Sequence, residues 1–117
     1  MLLRSWRLRI LDIIERIDLI HEFISDKSKD DYLKDRKSQM ATARCYSVIG
    51  EAANHVPTEI CQKYTKVEWR KLRDFKYLLS HEYFRVEQEM LWGTATRRLP
   101  GVKTQLQKIL SADFVAD

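Results

Sequence analysis

Apolar side chains recur at Trp6, Ile10, Ile13, Ile17, Ile20 and Ile24, in steps of three and four. That spacing draws one stripe along a helix, and Arg7, Arg9, Asp12, Glu15, Arg16 and Asp18 supply much of the polar remainder. The pattern predicts an amphipathic helix from Ser5 to Ser25. The charged run Asp26 to Asp31, rich in capping residues, interrupts it. A second long helix is expected from near Asp30 to near Val56, with Tyr32, Met40, Ala43, Tyr46, Val48, Ile49, Ala52 and Val56 as its apolar positions. Pro57 ends it, because proline lacks the N–H and biases its predecessor away from the helical region. A short helix or turn follows over Glu59 to Tyr64. A fourth helix, beginning near Val67, aims Trp69, Leu72, Phe75, Leu78 and Leu79 at a core. The last helical region spans roughly Val86 to Leu110, with Pro100-Gly101 as a kink or join, and Ser111 to Asp117 reads as a frayed tail.

Four or five helices joined by short loops read as an all-α, up-and-down bundle, one domain over residues 1–117. Composition agrees. Three glycines and two prolines are too few for a turn-rich β architecture, and 44% hydrophobic with 32% charged residues is a globular balance. A bundle this small has a limited core, so Tyr83, Phe84 and Leu91, read as exposed apolar residues, argue for a dimer. No apolar run approaches the roughly 20 residues a membrane helix needs. Arg4 and Arg7 interrupt the N-terminal apolar stretch, so no signal peptide is expected there. Cys45 and Cys61 show no pairing pattern and read as reduced thiols of a cytoplasmic protein. The formal charge of +4 and pI near 9.1 are compatible with a polyanionic partner without singling one out.

The chain has no glycine-rich phosphate loop, no H-E-x-x-H, no C-x-x-C and no G-x-S-x-G elbow. His21, His55 and His81 are too scattered to draw a metal-ligand spacing, so neither a metal nor a cofactor is expected. The segment Trp69 to Phe84, WRKLRDFKYLLSHEYF, stands apart. Arg70, Lys71, Arg73 and Lys76 lead up to His81, with Glu82 and Tyr83 behind it. On one continuous α-helix, Arg73 and His81 would lie roughly 80° apart around the axis and about 12 Å along it. Lys76 and His81 would be roughly 140° apart, converging only if the helix ends near Ser80 or a partner supplies the second group. A histidine beside fixed cations fits phosphoryl transfer within RNA, one moving the proton and the other steadying phosphate charge. The plainer alternative is a solvated basic face ending in a capping histidine, with Tyr83 as a core or interface aromatic.

Two stretches carry a family resemblance. Arg44 to Pro57, RCYSVIGEAANHVP, resembles the R-x-x-x-x-I-G-E-A segment of HepT-like proteins of the HEPN superfamily. Trp69 to Phe84 resembles their W-R-x-I-x-x-x-R-x-x-x-x-H-x-Y-F segment, and LWGTATRRLP their closing helix. The resemblance implies a dimeric four- or five-helix bundle that acts as a ribonuclease toxin without a metal and is paired with a minimal nucleotidyltransferase antitoxin. It implies a site where two protomers meet, with His81 as general acid and base. It also implies that Tyr83, at the site's edge, is open to adenylylation by the partner; the added phosphate would repel RNA phosphate.

One position departs from the pattern. The motif arginine falls on Lys76, giving K-x4-H; lysine keeps the charge but loses the planar fork that grips phosphate in two places. Arg73 lies one turn earlier as a substitute, and Arg70 is a further candidate for binding substrate. Two functions therefore stand side by side. The first is an endoribonuclease cutting RNA, tRNA among the candidate substrates, with His81, Lys76 and Arg73 as its catalytic groups. The second is a catalytically weak or inactive module that docks the nucleotidyltransferase. Gly50, costing about 1 kcal/mol against alanine within a helix, is read as a close-packing position.

Overall fold

The isoleucine stripe forms the spine of the core. In the computed structural model, which describes residues 2–80 and 88–112 and only the backbone of residues 2–5, 79 and 80, helix α1 (Leu2–Ile24) buries Trp6, Ile10, Ile13, Ile17, Ile20 and Ile24, each at most 5% exposed. Burying five isoleucines at about 1.5–3 kcal/mol apiece makes this face a principal source of stability. It packs against α3 (Arg36–Asn54) and α7 (Leu99–Ala112). The all-α bundle expected from the periodicity is what the described residues form.

The second long helix is not continuous. It divides into α2 (Lys29–Lys34) and α3 at Asp35, which closes the first and caps the second. Asp35 takes an extended backbone (φ −108°, ψ 93°), and its carboxylate accepts from the Ser38 N–H at 3.2 Å and the Ser38 hydroxyl at 2.8 Å. Capping the orphan donors of α3 outweighs one more turn of helix. Ser28 caps α2 through a reciprocal box with Asp31. Tyr32 is thereby buried, its hydroxyl donating to Gln88 Oε1 at 2.6 Å and lying 3.2 Å from the Thr42 hydroxyl. Met40, placed on the apolar face in the sequence reading, is 59% exposed, because it lies about 120° around the helix from Tyr46.

After the short helix α4 (Thr58–Lys63), α5 (Trp69–Asp74) tightens into a 3-10 segment, Phe75–Ser80. Leu72 and Leu78 are buried, and Phe75 packs edge-on against Tyr46 with ring centroids 4.8 Å apart. The tightening removes the basis for the α-helical angles estimated between Arg73, Lys76 and His81, since a 3-10 helix turns in about three residues and rises about 2.0 Å for each.

The closing helix runs from α6 (Gln88–Gly93) through a π turn (Thr94–Arg98) into α7. Pro100 therefore lies within it without a break. The Leu99 N–H reaches back to the Thr94 carbonyl, and Pro100 has no N–H for the Ala95 carbonyl. His21 fills that gap from α1: its Nε2–H donates to the Ala95 carbonyl at 2.7 Å. Leu91, read as exposed, is instead fully buried, and Tyr46 donates to its carbonyl at 2.8 Å. Its dimer argument falls with that burial; Tyr83 and Phe84 lie outside the described residues. Among the described residues the large exposed apolar side chains are Leu8, Leu11, Met40, Tyr77 and Met90. No helix there is long and apolar enough to cross a membrane.

Candidate functional site

Gly50 brings the two distinctive stretches of the sequence together. A Cβ built on it would lie 2.9 Å from both the Lys76 Cα and the Phe75 carbonyl carbon, and closer still to the Lys76 backbone N. No other residue lets the 3-10 segment rest on α3 at this distance. The close-packing role expected of Gly50 is therefore what the structure shows, and the backbone it admits is that of Lys76.

Beside this crossing opens a cleft of about 250 Å³, lined by Arg9 and Asp12 of α1, Arg44, Ser47 and Glu51 of α3, and Lys76. Arg9 and Lys76 are half-buried, and Arg44 is exposed. Among the described residues no ion pair ties any of these three cations to a carboxylate. Lys76 Nζ instead lies 5.1 Å from the Tyr77 ring centroid, a cation–π contact that leaves its N–H donors available. Glu51 lies 3.8 Å from His55, the C-cap of its own helix. Three cations thus share a recess with two carboxylates, a balance that favours an anionic ligand.

The other sequence candidates are distributed differently. Arg73 does not line this cleft; its Nη1 lies 3.9 Å from Cys61 Sγ on α4. Burial pushes the Cys61 thiol up from its ordinary range even with that guanidinium beside it, and burial does the same to Cys45. Both are free thiols, as expected. Arg70 is exposed at the start of α5. His81 and Tyr83 lie outside the described residues. Among the described residues no three His, Cys, Asp or Glu side chains gather as a metal-ligand group.

Arg9 and Arg44 line this cleft but were not among the sequence candidates. Arg44, Ser47, Val48 and Glu51 fall at i, i+3, i+4 and i+7, and Arg9 and Asp12 at i and i+3, so each set forms one stripe of its helix. That spacing was readable. What it could not reveal is that Lys76 lies against the same stripe.

An all-α, HEPN-like bundle with a basic cleft at a glycine-seated crossing is the class that fold and geometry define. The chain belongs to the family described as Ribonuclease HepT-like, which residues 13–109 match. It is 33% identical over 106 residues to a Thermococcus cleftensis protein named "Probable ribonuclease HepT", covering 91% of this chain and 96% of the relative. It is 32% identical over 101 residues to a Methanocaldococcus jannaschii protein named "Putative RNase", covering 86% of this chain and 84% of that one. No solved structure matches the chain at a significant level.

Proposed function

We propose that this chain is a metal-independent endoribonuclease, the toxin of a cytoplasmic toxin–antitoxin pair, acting as a homodimer with the site where its protomers meet. The observation that carries the reading is the seating of Lys76, which opens into a basic cleft from a backbone pinned on Gly50, five residues before His81. Ribonuclease names among the relatives support it.

In this reaction His81 takes the proton of a ribose 2′-hydroxyl, whose oxygen attacks the adjacent phosphorus. The bond from phosphorus to the 5′-oxygen breaks, and that oxygen takes the proton from protonated His81, which restores the base. The products are a 2′,3′-cyclic phosphate and a 5′-hydroxyl end. Lys76 offsets the charge that builds on the phosphorus oxygens. Arg73 and Arg70, outside the cleft, add positive charge for flanking RNA. A minimal nucleotidyltransferase is the antitoxin, and adenylylation of Tyr83 is the silencing step, because it adds negative charge where RNA phosphate must approach.

Lysine at the motif arginine favours the second reading, a weak or inactive module that only docks the nucleotidyltransferase. One experiment separates the two. Bulk tRNA is incubated in EDTA with the natural protein, His81→Ala and Lys76→Arg, all prepared identically. Cleavage by the natural protein that is lost in His81→Ala establishes the nuclease. Silence from the natural protein with activity in Lys76→Arg leaves partner docking as its function. Cleavage that persists in His81→Ala, or that EDTA abolishes, sinks the proposed mechanism.

A further inference from the structure

We infer that Arg9 and Arg44 form a phosphate-binding subsite for the RNA strand, supplying from α1 and α3 the guanidinium forks that Lys76 lacks. The inference rests on the nuclease reading and assigns its cleft a substrate class, the phosphodiester backbone. Three observations support it. Arg9, Arg44 and Lys76 open into one recess, although they come from three separate segments of the chain. Among the described residues none of the three is neutralised by an ion pair, so no described carboxylate has to be displaced by an incoming phosphate. The third is the Gly50 crossing, which sets the Lys76 backbone directly on α3, the helix that carries Arg44.

The chemistry favours phosphate over other anions. A guanidinium presents two parallel N–H donors that match two phosphate oxygens, whereas an ammonium acts as a point charge. With lysine at the motif position, two-point gripping must come from elsewhere, and Arg44 and Arg9 are the arginines at hand. Ser47 adds a hydroxyl donor on the same stripe as Arg44. Asp12 lies among them as a carboxylate that opposes phosphate, so its removal improves binding.

The test measures binding apart from chemistry. A fluorescein-labelled 2′-O-methyl oligoribonucleotide lacks the attacking hydroxyl and reports binding by anisotropy across a potassium chloride series. Arg9→Gln and Arg44→Gln each weaken binding and lower the slope of log K against log salt by about 0.7, one single-strand phosphate contact apiece. Asp12→Asn tightens binding, a gain that misfolding cannot imitate. Arg44→Lys keeps the slope but loses affinity. If both arginine variants keep the natural slope, or if Asp12→Asn weakens binding, the subsite is overturned. tRNA cleavage by the same preparations separates this from the nuclease reading. Arginine-dependent binding without cleavage sinks the nuclease and leaves the subsite standing. Cleavage with arginine-independent binding does the reverse, and absence of binding by the natural protein overturns the subsite.

Discussion

Gly50 and Lys76 are in backbone contact: a single methyl on the glycine would lie 2.9 Å from the Lys76 Cα. An internal glycine weakens α3 as a helix, yet it sets the position of the segment that runs from α5 toward His81. Local helix propensity is sacrificed here for a crossing, and the crossing defines one wall of the basic cleft.

Gly50→Ala therefore lowers stability although alanine is the better helix former. The propensity gain is about 1 kcal/mol, whereas overpacking against immovable backbone costs about 1–3 kcal/mol. Gly101 is the control, because a Cβ there meets nothing within 4 Å. Gly101→Ala raises stability by up to about 1 kcal/mol. Urea unfolding of both variants decides the matter. If both substitutions stabilise, the crossing is not tight.

His21 repairs the π turn, and that role is separable from any chemistry. His21→Leu leaves the Ala95 carbonyl without its donor, at a cost of about 1–3 kcal/mol. In a Pro100→Ala background the chain regains an N–H at that point of the helix, so the same substitution costs less. A double-mutant cycle in urea measures the difference. An unchanged cost in the two backgrounds would show that proline has no part in the arrangement.

The sequence made some of these features readable and hid others for physical reasons. The α1 stripe was legible because six buried positions repeat at helical spacing with little interruption. The break at Asp35 was not, because apolar residues continue on both sides and only D-x-x-S marks the cap. Leu72, Phe75 and Leu78 stand three apart, a period that already fits a 3-10 helix, but seven residues are too few to tell three per turn from 3.6. Leu91 looked like dimer surface because nothing local says that Tyr46 reaches its carbonyl. Arg44 belonged to a quoted motif yet drew no role, since a basic stripe resembles any solvated face until a second segment closes on it. His81 and Tyr83, the pair on which the sequence reading leaned most, lie outside the described residues, and the roles proposed for them rest on the family resemblance.

The Asp35 cap gives the fold a defined acid response. The Ser38 hydroxyl and N–H hold its carboxyl below the usual carboxylate range, and Lys27, 3.3 Å away, adds to the effect. A group whose pKa is depressed by folding contributes stability above its unfolded pKa, about 3.9 for aspartate. That contribution fades as pH falls through this value and is gone below the lower, folded one. Asp35→Ala should therefore melt at a lower temperature than the natural protein near pH 7, with the gap narrowing toward pH values of about 2–3. Asp35→Asn keeps a capping oxygen without the titrating charge, so its melting temperature varies less with acid. Melting curves followed by circular dichroism across that range test the sign. A gap between Asp35→Ala and the natural protein that stays constant with pH would mean that the cap acts through backbone shape alone, and that the charge on Asp35 contributes nothing.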